Sequence, residues 1–169
     1  MAISPKPTSG PTAEYVALVR YTEPSTSLQS GNRSAADPKA FLGVGWQFSP
    51  CVAPDGRIAL ARYEEDIRQA ILIILGTDLG ERVMRPDFGA GLNDFVFEGV
   101  NATTMHLLQT RVQEALVQWE PRIDVVDVSV TGDPNEHNKL LIALTYRVRA
   151  TNTQFNLVYP FYLEEGSAG

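Results

Sequence analysis

The stretch over residues 63–93 constrains this chain more than any other. It reads YEEDIRQAILIILGTDLGERVMRPDFGAGLN. Its first half predicts a helix with both ends marked. Glu64, Glu65 and Asp66 place negative charge on the first turn, where the helix dipole favours it. Ile67, Ala70, Ile71, Ile74 and Leu75 recur at i, i+3, i+4, i+7 and i+8, which makes one apolar face. Leu72 and Ile73 widen that face, so the later turns are expected to be buried nearly all round. Gly76 stands where a helix-capping glycine belongs. The second half predicts a tight turn over Thr77, Asp78, Leu79 and Gly80, then a short extended run over residues 81–85 that Pro86 ends. Gly89 and Gly91 flank Ala90 where the backbone must bend again.

Downstream, Asn101 is placed to cap a second helix running to Trp119. Met105, Leu108, Val112, Ala115, Leu116 and Trp119 fall at spacings of three and four and form a single stripe, which reads as core. Pro121 stops the helix, because the residue before a proline is pushed out of the α region. Residues 123–130 read as a strand with a flaw: Ile123 and Val125 share one parity, Val126, Val128 and Val130 the other. A bulge or sharp twist near Val125 reconciles them. Residues 140–150 form the most regular strand, with Leu140, Ile142, Leu144, Tyr146 and Val148 on one side. Phe155, Leu157, Tyr159, Phe161 and Leu163 alternate in a last strand. Pro160 lacks a ladder donor and places that strand at a sheet edge. Between the helices, Phe95 with Phe97, or Phe95 with Val96, is expected to anchor the chain to the core.

The first forty residues differ in character. Residues 1–13 hold Pro5, Pro7 and Pro11 and read as a flexible tail. Residues 14–21 (EYVALVRY) fit a strand or two helical turns, the alternation favouring a strand, and residues 22–40 read as a long polar loop. Four Lys and Arg against three Asp and Glu leave this part at +1, so the remainder carries −7 of the net −6. Phe41 to Pro50 follows, with Gly43 and Gly45 around Val44, then Trp46 and Phe48, an aromatic pair expected to cover the edge of a core. The expected architecture is α+β: two main helices packed on a mainly antiparallel sheet that ends in a three-stranded C-terminal meander. The expected organisation is an N-terminal extension over residues 1–40, partly disordered when free, a single domain over 41–163, and a frayed tail over 164–169.

Composition bounds the class. With 169 residues, 44% of them hydrophobic, the chain suffices for one globular domain with a real core. Its negative charge argues against nonspecific nucleic-acid binding, which needs a basic face. Cys51 is the one cysteine, which excludes an internal disulfide; with no His or Cys pattern around it, it reads as a buried or idle thiol. No N-terminal stretch has the parts of a signal peptide, and the apolar run over 70–75 is far too short to span a bilayer. A soluble protein that stays where it is made is expected. His106 and His137 have no second ligand at metal spacing. No nucleophile elbow, phosphate loop or dinucleotide fingerprint occurs. Asp94, Glu98 and Glu120 are nominal candidates for a carboxylate pair of the glycosidase kind. With 20 acidic residues in the chain some pair can always be nominated, so the nomination carries little weight. No catalytic residue, cofactor or metal is expected.

The informative constellation is Glu120-Pro121-Arg122. Proline fixes the chain leaving the helix, and in an extended segment residues i and i+2 point to the same side. Glu120 and Arg122 are thus presented together, and a helix exit is expected to place them at the surface. Two roles fit these residues equally: a docking pair for a partner, or Arg122 capping the second helix while Glu120 pairs locally.

Two patterns together resemble a known family. The run L-G-T-D-x-G-E-R-V-M-x-P-x-F-G-x-G-L over residues 75–92, joined to Glu120-Pro121-Arg122, resembles the small baseplate wedge proteins of contractile phage tails. Relatives of these occur in type VI secretion systems, R-type pyocins and extracellular contractile injection systems. The resemblance covers residues 41–163, and Gly43-Val44-Gly45-Trp46 matches a segment that precedes the family's first helix. It implies a structural subunit that joins the wedge to the first sheath ring and initiates sheath assembly. It further implies that Glu120, Pro121 and Arg122 dock on the helical core bundle of the wedge subunits. The meander, through Phe155, Leu157, Tyr159 and Phe161, would exchange strands with the sheath. The implied partners are baseplate wedge subunits and the sheath subunit, with hub, spike or tube proteins as further neighbours. Several copies per baseplate, no nucleic acid and no membrane insertion are implied. The chain would be made in the cytoplasm of the producing bacterium and end in the assembled particle. A lysozyme label has been attached to this family, so a peptidoglycan-cleaving tail enzyme is the rival reading.

Overall fold

The computed structural model describes residues 39–163. The expected tail over 1–13, strand over 14–21, most of the loop over 22–40 and the tail over 164–169 lie outside the described residues. A 3-10 turn, Ala40–Leu42, leads into β1 (Val44–Trp46), which pairs antiparallel with β2 (Leu60–Arg62). Helix α1 (Glu64–Leu75) follows, then a second 3-10 turn (Leu92–Phe95) and helix α2 (Ala102–Trp119). The chain closes with β3 (Ile123–Gly132), β4 (Lys139–Val148) and β5 (Thr153–Tyr162) in a three-stranded antiparallel sheet of order β3-β4-β5. The expected α+β class, with its helix pair and C-terminal meander, is the observed one.

Each helix forms where its apolar period places it. Ile67, Ile71, Ile74 and Leu75 of α1 are buried, and no residue of its last turn is exposed. In α2 the buried apolar residues are Leu108, Val112, Ala115 and Leu116, with Met105 and Trp119 partly buried against them. The Asn101 side chain caps α2 by accepting the Thr104 N–H at 2.8 Å, satisfying one of the donors a helix start leaves over. Glu120, at φ −123, is the C-cap before Pro121.

The sheet supplies the other half of the core. Leu140, Ile142, Leu144, Tyr146 and Val148, all of one parity on the central strand β4, are buried. The register of β3 slips between Val125 and Asp127, so Val126 is the extra residue of a bulge and is exposed. That slip carries the buried parity from Ile123 to Val128 and accounts for the broken alternation in the sequence. β5 pairs with β4 without a slip and stands at the edge. Leu163 N–H donates to the Asn138 carbonyl (2.7 Å), so the odd residues of β5 are the ones bonded to β4. Alternation in an antiparallel ladder then turns the N–H and C=O groups of Gln154, Asn156 and Val158 away from β4, to a side that no described strand pairs. Pro160 has the same parity, so its missing N–H costs the ladder nothing.

Two expectations are corrected, and one open alternative is decided. Residues 81–85 are not extended: Glu81 N–H bonds the Asp78 carbonyl (3.2 Å) and Arg85 N–H the Arg82 carbonyl (3.1 Å), which folds the segment into consecutive turns. No described strand pairs with it. Trp46 and Phe48 do not cover a core edge, being 70% and 53% exposed. The packed face of the β1–β2 pair is the side of Gly45 and the buried Ala61, because helix α1 approaches there too closely for a side chain on Gly45. Between the helices Phe95 and Val96 pack on the core, whereas Phe97 is exposed.

Gly89 shows why the glycine pair at residues 89 and 91 is needed. It has φ +112, and a Cβ there would lie 2.2 Å from the Thr77 carbonyl oxygen. The close approach lets Ala90 N–H bond the carbonyls of Ile74 and Thr77, which seals the end of α1.

Candidate functional site

Arg122 is where the fold converges. Its Nε and Nη2 donate to the Glu120 carboxylate at 2.7 and 2.6 Å, the side-on pairing for which the guanidinium is shaped. Nη1 donates to Asp66 Oδ2 at 2.7 Å and to the Leu42 carbonyl at 3.0 Å. The backbone N–H of Arg122 adds a bond to Glu120 Oε1 at 3.2 Å. One side chain thus ties the exit of α2, the first turn of α1 and the turn before β1. The guanidinium has five N–H groups, and these four bonds leave one Nη2 hydrogen without a partner among the described residues. The hydrogen bonds it donates to Glu120 push the guanidinium pKa up, burial works against them, and the bond to Asp66 adds to the rise.

The glycines before α1 make room for this clamp. A Cβ on Gly45 would lie 2.4 Å from Asp66 Oδ1, and one on Gly43, at φ +100, 3.3 Å from Arg122 Nη1. The hairpin is pinned to the same helix: Phe48 N–H donates to Gln69 Oε1 and Gln69 Nε2 to Glu65 Oε1, both at 2.7 Å. Burial pushes the Glu65 carboxyl up, and its bonds from Arg68 and Gln69 outweigh that and hold it below the usual range.

The site residues expected from the sequence fare differently. Glu120 and Arg122 do point to one side and do meet. The expected surface position fails for Glu120, which is 3% exposed, because its carboxylate turns inward to Arg122. Pro121 is exposed, and the Arg122 side chain is 32% exposed. Arg122 does not cap α2; its carbonyl partner is Leu42, 80 residues away. Asp66 was expected only to complement the helix dipole, and its part in the clamp has no signal in local spacing. On β5, Leu157 and Phe161 are buried, Tyr159 is half-buried and Phe155 stacks on Tyr146 at 5.7 Å. These four side chains face the core, so the strand offers a partner its outer backbone. Strand β4 lies between β5 and β3, so the structure does not bring the two sets of residues together.

The remaining candidates stand apart. His106 and His137 are exposed, and no cluster of metal-binding side chains occurs among the described residues. Cys51 is exposed rather than buried. Asp94 and Glu98 are exposed, and Glu120 is engaged with Arg122. No described helix is long and apolar enough to cross a membrane.

Clamp, glycine turns and meander belong to one small α+β domain. A family model described as baseplate wedge protein gp25 matches residues 61–153, and the chain belongs to that family. It is 34% identical over 64 residues to baseplate wedge protein gp25 of Enterobacteria phage T4. That match spans 38% of this chain and 48% of the relative, so the chain covers about half the relative's length. Among solved structures, a Geobacter sulfurreducens protein provisionally called a tail lysozyme is 56% identical, with a TM-score of 0.57, over 62% of this chain and 94% of that one. A chain of the anti-feeding prophage baseplate, solved by cryo-EM, is 32% identical with a TM-score of 0.62, over 65% of this chain and 88% of that one.

Proposed function

We propose that this chain is a structural baseplate subunit that joins the wedge to the first sheath ring and starts sheath assembly, catalysing no reaction. The observation that carries this reading is the outer edge of β5, which no other described strand pairs. It presents outward N–H and C=O groups on alternate residues, in a domain of the baseplate wedge family. An unpaired edge is a template for a strand from another chain. Glu120, Pro121 and Arg122 form the second contact, onto the helical core of the wedge. In it Pro121 and the spare Nη2 hydrogen of Arg122 meet the partner, while Glu120 and Asp66 hold the guanidinium in place. Wedge subunits and sheath are the partners, and the contractile particle is the final location.

Assembly without this chain tests the reading. Particles produced in its absence should carry tube and wedges but no sheath, and adding back the purified chain should restore sheath growth. Full-length sheath on baseplates that lack the chain would overturn the proposal.

A further inference from the structure

The turn at residues 82–85 presents side chains that its own fold does not use. Arg85 N–H closes it onto the Arg82 carbonyl, which puts Val83 and Met84 at the two corner positions. Corner positions favour Gly, Pro, Asn, Asp or Ser, each for a backbone reason. Here both corners are apolar, and they are 93% and 87% exposed. The turn is nevertheless firmly held. The Arg82 guanidinium lies 3.9 Å over the Phe88 ring and that of Arg85 4.9 Å over Trp119, while the two rings pack at 5.2 Å. Gly80 N–H bonds the Pro86 carbonyl at 2.7 Å across the base of the loop, and the Glu81 carboxylate turns back to accept the Asp78 N–H. Trp119 is the residue before Glu120, so the loop is braced on the helix end that carries the Glu-Pro-Arg segment.

We propose that Val83 and Met84 form a preformed docking knob. Its occupant is an apolar recess with carboxylates at its mouth, on a neighbouring protein subunit. This goes beyond the function proposed above but rests on the chain entering an assembly. Rigidity supports it: a loop already held in shape loses little freedom on binding. Charge supports the acidic rim. In a chain of net charge −6, the apolar pair is bracketed by two arginines. Stacking occupies their faces and leaves their N–H edges for carboxylates. The acid at hand, Asp87, stands 3.8 Å from Arg85, and both are largely exposed, so it leaves that cation available. Methionine and arginine, two of the residue types this turn presents, are enriched at protein interfaces relative to the rest of the surface.

Photo-crosslinking in the assembled particle tests the knob. The full chain carrying a benzophenone side chain in place of Met84 is incorporated into particles, irradiated and mapped by mass spectrometry. The expected product joins position 84 to a different subunit, at apolar residues with Asp or Glu close by. The free chain should give no such product. In parallel, the double variant V83S/M84S should melt with the parent, because neither side chain is buried, yet be retained in purified particles about tenfold less well. A crosslink to a second copy of this chain, to lipid or to nucleic acid overturns the inference. So does no crosslink from a chain that is incorporated, or retention of the double variant equal to the parent. A parent chain absent from particles overturns the assembly reading itself, which is a different failure.

Discussion

Arg122 joins segments that have little else in common. Its bonds to Glu120, Asp66 and the Leu42 carbonyl all use charge on at least one side, which makes them stronger than neutral pairs. Removing the cation leaves the Glu120 carboxylate buried and unmatched, a loss that deep in a protein reaches about 3–5 kcal/mol. Because Arg122 is 32% exposed, water can relieve part of it. Arg122→Ala should therefore lower unfolding stability by about 2 kcal/mol, measured by denaturant titration with an unchanged slope. Asp66→Asn should lower it by about 1 kcal/mol. Gly45→Ala should mimic Asp66→Asn, since its Cβ would displace the Asp66 carboxylate. An Arg122→Ala midpoint equal to the parent would show that the clamp holds nothing.

At the scale of elements, the β3–β4 connection depends on charge more than on packing. Lys139 Nζ lies 3.0 Å from Asp133 and 3.5 Å from Glu136 across the turn. The Asn135 backbone N–H first, then Lys139, hold the Asp133 carboxyl below its ordinary 3.8. Asp133 in turn pushes Lys139 above its ordinary 10.5. A depressed acid stabilises the fold above its unfolded pKa, and the contribution fades as pH falls through the folded value. A raised base stabilises below its unfolded pKa and loses that contribution as pH rises through the folded value. Asp124, held low by Arg149 and then Arg147, adds to the acid side. The melting temperature should stay level from neutral pH down to about pH 5 and fall below that range. Asp133→Asn should lower it at neutral pH and flatten the acid limb; an unchanged acid limb would remove Asp133 from the account.

The outer strand gives a second test at this scale. Val158 N–H points to the outer side of β5, whereas Leu157 N–H points to β4 and its side chain is buried. Val158→Pro removes an outward donor and spares the ladder, so the protein should melt close to the parent. Sheath initiation should fall about tenfold or more, since a lost interfacial donor leaves its acceptor unpaired. Leu157→Pro is the contrasting control, because it breaks the fold itself. A folded Val158→Pro chain that starts sheath as well as the parent would exclude this edge as the contact.

On the scale of the whole molecule, sugar hydrolysis needs two carboxylates facing each other across a cleft, and the three nominated from the sequence are differently placed. Asp94 and Glu98 are exposed near a short 3-10 turn, and Glu120 is neutralised by Arg122. Purified protein should leave peptidoglycan intact in a zymogram from acid to neutral pH. A cleared band that vanishes on replacing Asp94, Glu98 or Glu120 would reinstate the hydrolase reading.

Local pattern was enough for the two helices, the α2 cap, the meander, the bulge in β3 and the edge position of β5. Each of these rests on a period or a punctuating residue within one segment, and burial then selects the face that the period defines. The Glu120–Arg122 pairing was also visible, because a single residue, Pro121, separates its partners. What tertiary structure alone decided is where that pair turns and what it serves. Arg122 reaches Asp66 across 56 residues and Leu42 across 80, and Gly43 and Gly45 are glycines because a helix first turn passes against them. The turn at residues 82–85 follows the same logic: no described strand pairs with its strand-like letters, and the rings of Phe88 and Trp119 hold the arginines instead. Contacts of this kind join positions that share no period, so their geometry exists only once the helices and the sheet have packed.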